Sequence, residues 1–279
     1  MTHEHGHQQH DHPQHDHAGM AEILDLDAEV LAEPTAALVA ALPVREAPRR
    51  VVDLGAGTGV GTLALLDRFP AAHVLAVDAS DDHLRRLHEK AASRGLAGRV
   101  ETLRADLDAA WPDLGRPDLV WASASLHHLA DVDAALHRLR DLLAPRGLLV
   151  VVEPDGFPRF LPDDAPEDRP GVERRAHEAA DRRAAEHMPH RGADLGPTLR
   201  AAGFTVELER KEPLAVGGAA VGRYALLGLG RLRHGVADAL SAEDLTALDR
   251  LLDPEGPGSL LRRDDLAVRT TRSVWAARA

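Results

Sequence analysis

Residues 51–59 read VVDLGAGTG, and this stretch decides the fold of the chain. Its apolar start predicts a buried strand, and the glycines at 55, 57 and 59 predict a tight turn. Apolar side chains at helical spacing follow over residues 60–66. Glycine has no Cβ, so a ligand can lie against bare backbone at the turn. The N–H groups that open the helix favour an anionic or acceptor group on that ligand. The pattern predicts a strand, a turn and a helix with a nucleotide-type binding site.

The composition limits the possible functions. The chain has 279 residues, 44% of them hydrophobic, which suits one large domain with an apolar core. Its formal net charge of −12 argues against a broad nucleic-acid surface, because phosphate binding depends on clustered Lys and Arg. The absence of cysteine excludes disulfides, thiolate metal sites and a cysteine nucleophile. No apolar run approaches the roughly 20 residues of a membrane span, and the N-terminus has no signal-peptide core. We therefore expect a soluble, cytoplasmic protein with no membrane partner.

The N-terminal part is predicted to contain a tail and a helical segment. Residues 1–19 are rich in histidine and cannot bury apolar surface, so we expect them to be disordered. Their imidazoles could bind Ni²⁺, Zn²⁺ or Cu²⁺ loosely, but they imply no fixed metal site. Residues 20–44 predict a helix that breaks at Pro34 and a second short helix over 38–42. These helices either cover a sheet edge or form a lid over the site.

Strands alternate with helices in the next part of the chain. The predicted strands cover 73–78, 100–104, 119–123 and 148–153, and the predicted helices cover 81–94 and 131–143. Because the strands are almost continuously apolar, both of their faces should be buried, as in a parallel sheet covered by right-handed crossovers. The predicted fold class is α/β, with a doubly wound and mostly parallel sheet.

The pattern is less regular beyond residue 154. A charged helix of low amphipathicity is predicted over 171–187, and further elements over 193–202 (helix), 204–209 (strand), 221–232 (helix) and 266–276 (strand). A capping box at Ser241 predicts the start of a helix that buries Leu245, Leu248 and Leu252. The segments at about 155–190 and 215–262 interrupt the strand and helix alternation, so we expect them to form a cap over an acceptor pocket.

Four features stand in a specific order along the chain. They are the D-x-G-x-G-x-G turn, Asp78 at the end of the second strand, Asp106 after the third, and a Leu-His-His tail after the fourth. In this order and spacing, residues 45–155 resemble the class I S-adenosylmethionine-dependent methyltransferases. The resemblance implies a Rossmann-like fold within a domain from 45 to 279, S-adenosyl-L-methionine as the cofactor, and methyl transfer to a small-molecule acceptor such as a secondary metabolite.

The resemblance also implies roles for individual residues. Asp78 would hold the ribose hydroxyls of the cofactor, since a carboxylate can accept two neighbouring O–H groups. Asp106 would accept a hydrogen bond from the adenine amino group. His83 stands where the family usually has an apolar residue, so its ring either packs over the adenine or reaches solvent. The predicted cofactor-binding residues are Asp53, Gly55, Ala56, Gly57, Gly59, Asp78, Ala79, His83, Asp106, Leu107, Ala122 and Ser123.

Histidines are the candidates for contact with the acceptor. His127 and His128 are candidate general bases, because imidazole titrates near neutral pH and the pair follows the fourth strand. A structural role in packing is the alternative for this pair. His177, His187 and His190, in the cap, either contact the acceptor or face solvent.

Two other classes of function stay open from the sequence. A nicotinamide-dependent oxidoreductase would share the glycine turn and Asp78, but it has no need of Asp106, and the glycine spacing differs from its usual fingerprint. A non-catalytic nucleoside-binding protein, or a metal-binding protein that uses the His-rich tail, is the second class. The sequence does not fix the oligomeric state.

Overall fold

The structure is a computed structural model that describes residues 14–187 and 190–279. The strands are β1 (Arg50–Leu54), β2 (His73–Asp78), β3 (Val100–Arg104), β4 (Leu119–Ser123), β5 (Leu148–Pro154), β6 (Thr205–Val216) and β7 (Val268–Arg278). The helices are α1 (Gln14–Val30), α2 (Ala32–Ala40), α3 (Val60–Arg68), α4 (Asp81–Ser93), α5 (Val132–Leu142), α6 (Val172–His187), α7 (Gly196–Ala201), α8 (Val221–Gly235) and α9 (Ala242–Leu252).

The seven strands form one sheet in the order β3-β2-β1-β4-β5-β7-β6. The first five strands in this order are parallel, and β7 lies antiparallel between β5 and β6. The chain runs outward from β1 to β3 and then returns to the other side of β1 with β4. Ligands of open α/β sheets bind where the strand order reverses in this way, at the carboxyl ends of the strands. The doubly wound, mostly parallel sheet is confirmed.

Successive strand residues point to opposite faces, and each face has its own apolar core. Val51 belongs to a buried cluster with Leu65 of α3, and α2 and α4 also contribute to that cluster. Val52 belongs to a second cluster with Leu136 of α5 and Leu199 of α7. The near-continuous apolar character of the strands thus reflects a sheet covered on both faces.

A third apolar cluster is formed mainly by helices and also includes Val268 of β7. It joins Leu26 of α1, Ala176 of α6, Leu229 of α8 and Leu248 of α9. These helices come from the N-terminal segment and from the two segments that interrupt the strand and helix alternation. Among the described residues, no helix is both long enough and apolar enough to cross a membrane.

Two predictions about the N-terminal segment need correction. Helix α1 begins at Gln14, inside the segment 1–19 that was expected to be disordered, while residues 1–13 lie outside the described residues. The helical break falls at Leu31 and not at Pro34, which lies in the first turn of α2. Proline is tolerated there because the first N–H groups of a helix have no intrahelical partner to lose.

The helices and strands predicted in the C-terminal part are present, but their bounds differ from the predicted ones. The strand predicted over 204–209 continues to Val216, because β6 pairs with β7 along nearly its whole length. Helix α7 is shorter than predicted, covering Gly196–Ala201. Ser241 caps α9 as predicted, since its hydroxyl accepts from the Asp244 N–H at 3.2 Å. The buried face of α9 is shifted by one position, to Ala247, Leu248 and Leu251.

Gly61 offers a test of the packing between α3 and the sheet. A Cβ at this position would collide with the indole Nε1 of Trp121, which is 1% exposed. We expect Gly61→Ala to lower the free energy of unfolding by about 1–3 kcal/mol, the usual range for overpacking a core. Urea denaturation followed by tryptophan fluorescence measures this.

The matched control is Gly98→Ala, because a Cβ at Gly98 meets no atom within 4 Å. It should change the free energy of unfolding by less than about 0.5 kcal/mol, as expected for a surface substitution. Equal effects of the two substitutions would contradict the close contact between α3 and β4.

Candidate functional site

A cavity of about 530 Å³ lies at the carboxyl ends of β1, β2 and β4. The glycine turn after β1 forms part of its lining. Helices α1 and α2 contribute one wall, which includes Leu24 and Leu38, and the β6–β7 pair contributes another, which includes Leu214 and Arg272. Sequence elements far apart in the chain therefore meet around one volume at the topological switch point of the sheet.

The three glycines of the turn have left-handed backbone conformations, with φ of +67° at Gly55, +52° at Gly57 and +94° at Gly59. A Cβ at Gly55 would lie 2.5 Å from the Cβ of Ser125, and one at Gly59 would lie 2.6 Å from the Cγ of Leu87. At Gly57 the nearest atom would be 3.9 Å away. Gly55 and Gly59 thus permit close packing within the protein, whereas Gly57 leaves bare backbone beside the cavity.

The N–H groups of the turn are used within the protein. Those of Gly55 and Ala56 donate to the Val77 carbonyl oxygen at 2.8 and 3.0 Å. That of Gly57 donates to Asp78 Oδ2 at 2.9 Å. These three N–H groups therefore fix the shape of the turn, and they are distinct from the N–H groups at the start of α3 to which the sequence prediction refers.

The Asp78 carboxylate lines the cavity at the end of β2. Its Oδ1 accepts from the Ser80 N–H at 2.9 Å and lies 3.1 Å from His83 Nδ1. Burial opposes ionisation, but the hydrogen bonds from His83, Ser80 and Gly57 outweigh it and hold the pKa of Asp78 below 3.8. Asp78 is therefore charged at neutral pH. The sequence predicts that the His83 ring either packs over the adenine or reaches solvent. In the structure the ring lies against the Asp78 carboxylate.

Asp106, Leu107 and Ala79 lie at the same end of the cavity. Asp106 follows β3 and is exposed, and its Oδ1 accepts from the Asp108 N–H at 3.0 Å. The cavity end near β2 and β3 thus presents the carboxylates of Asp78, Asp106 and Asp108, with Ala79 and Leu107 also in its lining. This arrangement can accept hydrogen bonds from hydroxyl and amino groups of a ligand.

Asp53 is the most buried carboxyl group of the cavity, at 2% exposed. The Thr62 hydroxyl donates to its Oδ2 at 2.6 Å. Burial raises the pKa of Asp53 to about 7, with a further contribution from the negative charge of Asp78, although the Thr62 hydrogen bond opposes the rise. Asp53 consequently exchanges its proton near neutral pH.

His127 is held away from the cavity by a buried carboxylate. Glu153, at the end of β5, accepts from the N–H groups of Ser125 and Leu126 at 3.1 and 2.9 Å and also contacts His127 Nδ1. His127 is 4% exposed and does not line the cavity, so its predicted role as a general base has no support in its position. It anchors the turn after β4 together with Glu153.

His128 does line the cavity, and its ring centroid lies 4.1 Å from that of His127. Burial and then the nearby charges of His127 and Arg191 lower the pKa of His128 below 6.5. The imidazole is therefore neutral at pH 7 and can accept a hydrogen bond or a proton. Ala124, directly after β4, also lines the cavity. Its positive φ of 51° is a strained conformation for a residue with a Cβ.

Several predicted residues do not reach the cavity. Gly59 packs against Leu87, and Ala122 is fully buried within β4. His177 is 3% exposed, so it does not belong to a solvated face, and no described residue of 155–190 or 215–262 is among those that line the cavity. The side chain of His187 lies outside the described residues.

Sequence reasoning missed five charged residues at or near the site, one of them Asp108, which lines the cavity two residues after Asp106. Glu153 could have been found, because it ends an apolar strand just as Asp78 does. Asp27, Glu212 and Arg272 line the cavity but belong to no motif, and they come from α1, β6 and β7. No local pattern marks them.

Comparison with known proteins adds a family to this geometry. A model for a methyltransferase domain matches residues 26–209. A trans-aconitate 2-methyltransferase of Methylobacterium radiotolerans is 40% identical over 124 residues, which cover 44% of this chain and 45% of that protein. A malonyl-[acyl-carrier protein] O-methyltransferase of Halorhodospira halophila is 34% identical over 168 residues, covering 58% of this chain and 50% of that protein. The chain thus spans about half the length of the curated relatives it matches.

The fold resembles solved structures of the same kind. A Bacillus halodurans C-125 protein described as a candidate methyltransferase superposes with a TM-score of 0.56 at 16% identity. The match covers 87% of this chain and 97% of that one. These matches give no support to the nicotinamide-dependent alternative.

The buried Asp53 predicts a specific pH dependence of stability. In the folded state its proton is held up to about pH 7, whereas in the unfolded chain it leaves near 3.8. The stabilisation is therefore complete below pH 3.8 and is lost as the pH rises to about 7. Relative to Asp53→Asn, which cannot ionise, the wild type should lose roughly 4 kcal/mol over this range, at 1.36 kcal/mol per pKa unit.

Urea denaturation of both proteins between pH 4 and pH 8 measures this difference. Asparagine keeps an acceptor oxygen for the Thr62 hydroxyl, so the comparison isolates the charge. A difference in the free energy of unfolding that stays constant with pH would contradict the effect of burial on Asp53.

Proposed function

The chain belongs to the class I S-adenosylmethionine-dependent methyltransferases, and we propose that it transfers a methyl group from S-adenosyl-L-methionine to a small-molecule acceptor. One observation carries the proposal. A single cavity contains the bare backbone at Gly57, the ionised Asp78 and the Asp106 carboxylate, and it also contains the neutral His128 at the end of β4. The first three suit a nucleoside with an amino-acid arm.

The cavity residues fit this cofactor on chemical grounds. Oδ2 of Asp78 accepts only the Gly57 N–H, so it keeps a lone pair that can accept from a ribose hydroxyl, whereas Oδ1 already lies against Ser80 and His83. Asp106, with Leu107 beside it, suits an adenine ring that donates from its amino group. The open side of Gly57 leaves room that a Cβ would fill. We assign the cofactor to this end of the cavity.

When bound, S-adenosyl-L-methionine supplies an electrophilic methyl group on a sulfonium. The protein then needs to align the acceptor and keep water out, and alignment alone can contribute roughly 7–11 kcal/mol to catalysis. The walls from α1, α2, β6 and β7 would provide this enclosure. No buried catalytic dyad is required for such a reaction.

His128 is our candidate for polar contact with the acceptor. Its pKa lies below 6.5, so at pH 7 it is free to accept a proton from a hydroxyl or an amine, or to accept only a hydrogen bond. We assign His127 to positioning, because Glu153 and the turn after β4 hold it in a buried place. The two histidines thus have different proposed roles.

The names of the relatives support a small acceptor. Trans-aconitate is a small acid, the malonyl group of the second relative is carried on an acyl-carrier protein, and neither is a nucleic acid. The net charge of −12 also disfavours a nucleic-acid partner. We further propose that the chain acts in the cytoplasm, as its composition predicts.

The role of Asp78 can be tested by cofactor binding. Asp78→Asn keeps the size of the side chain but removes the charge, so it should weaken binding of S-adenosyl-L-methionine by about 10- to 100-fold, the usual effect of losing a hydrogen bond to a charged group. Isothermal titration calorimetry measures the dissociation constant.

Asp81→Asn is the matched control. Asp81 lies three residues further on, its side chain is 75% exposed, and it does not line the cavity. It should bind the cofactor as the wild type does. Equal affinities for Asp78→Asn and wild type would refute the proposed ribose contact.

A further inference from the structure

Carboxylates line both ends of the cavity, with Asp27 and Glu212 on the wall formed by α1 and β6. Asp78, Asp106 and Asp108 lie at the end formed by β2 and β3. Among the described residues that line the cavity, Arg272 of β7 is the one arginine or lysine. In the strand order of the sheet, β2 and β7 lie on different sides of β1 and β4. Arg272 therefore stands on the side of the cavity away from the proposed nucleoside site.

Arg272 is largely buried, with 16% of its side chain exposed, and its contact with a carboxylate is long. Its Nη2 lies 3.4 Å from Asp27 Oδ2. Asp27 has a second and shorter contact, because the hydroxyl of the buried Tyr224 donates to its Oδ1 at 2.7 Å. Good hydrogen bonds from nitrogen to oxygen span 2.7–3.2 Å, so Asp27 satisfies Arg272 only in part.

Two other charged residues lie near Arg272. Glu212 stands opposite Arg272 in the β6–β7 register and also lines this wall, but its carboxylate pairs with Arg210 at 2.6 Å. Arg191 is close enough to Arg272 for the two positive charges to repel, and it stacks over the Phe157 ring at 4.0 Å. A buried guanidinium with a weak ion pair favours a further anion, because five N–H donors are fixed in one plane.

We propose that Arg272 binds the carboxylate of an anionic acceptor and that the product of the reaction is a methyl ester. This inference rests on the proposed methyl transfer and adds the substrate class and the residue that recognises it. A guanidinium can hold a carboxylate through two parallel hydrogen bonds, which fix the orientation as well as the position of the acceptor.

The chemistry is consistent with the rest of the site. A lone pair of the acceptor carboxylate oxygen forms the new O–CH₃ bond while the bond from methyl carbon to sulfur breaks, and the electron pair of that bond stays on sulfur. A carboxylate is already ionised at pH 7, so no proton is released and no general base is needed. The neutral His128 then serves as a polar wall, and its replacement by Gln should change kcat less than 10-fold, below the usual effect of removing a general base.

The type of bond formed can be tested without knowing the acceptor. The wild type is incubated with methyl-labelled S-adenosyl-L-methionine and a low-molecular-weight cell extract, and the labelled product is treated with mild alkali. A methyl ester releases its label as methanol, whereas methyl groups on ether oxygen, nitrogen or carbon stay attached. Alkali-stable label would overturn the inference and leave the proposed methyl transfer standing. Absence of cofactor binding by calorimetry would instead refute the proposed function itself.

The role of Arg272 is tested with the acid recovered by this hydrolysis. Arg272→Gln should raise the KM for that acid at least about 10-fold. Arg272→Lys keeps the charge but not the bidentate contact, so its KM should lie between those of the wild type and Arg272→Gln. Binding of S-adenosylhomocysteine should be unchanged in both variants, which shows that they fold.

Arg223→Gln is the matched control for this series. Arg223 pairs with Glu22 of α1, and its side chain is 68% exposed and does not line the cavity. It should leave the KM for the acid within about twofold of wild type, as expected for an exposed ion pair. A KM that is the same for Arg272→Gln and wild type would overturn the assignment of Arg272.

Discussion

The site depends on one buried carboxylate, that of Asp78. It accepts N–H groups from the glycine turn after β1 and from the start of α4, and it lies against the ring of His83. These bonds join two neighbouring βα units at the point where their strands end. They also keep the carboxylate charged despite its burial, because hydrogen bonds to the ionised form outweigh the loss of hydration. The contacts that shape the turn therefore also keep the Asp78 carboxylate ionised, so that it can accept hydrogen bonds from a ligand.

Glu153, in β5 on the other side of β1, also holds a turn in place, but it does not line the cavity. It accepts from two N–H groups of the turn after β4 and holds His127 beside them. Three donors meet one buried carboxylate, so the turn is fixed by polar contacts in a place where water is excluded. His128 is then presented to the cavity because its neighbour is immobilised. A pair of histidines that looks alike in the sequence thus divides into one positioning residue and one cavity residue.

The sequence predicts those parts of the structure that are decided locally. The bounds of β2 and β4 follow from apolar runs that end at a polar residue, and the turn follows from its glycines. The position of Asp78 and Asp106 in one cavity follows from parallel strands that end at the same edge. The wall that contains Asp27 and Arg272 could not be predicted in this way. These residues are 245 positions apart, and only the antiparallel insertion of β7 and the packing of α1 bring them together.

Helix α1 makes both apolar and polar contacts. Its apolar side contributes Leu26 to the third apolar cluster. Its carboxylates contact other helices, since Asp25 pairs with Arg86 and Lys90 of α4 and Asp27 accepts from Tyr224 of α8. The Asp25 contacts are partly exposed, so solvent and salt weaken each of them, and they contribute little beside the apolar cores of the sheet. The α1 wall is therefore held mainly by its apolar side, and the ion pairs at its edge add little. The carboxylates proposed to hold the nucleoside follow β2 and β3 directly, whereas the proposed acceptor wall combines side chains of α1, β6 and β7, so its composition depends on tertiary packing.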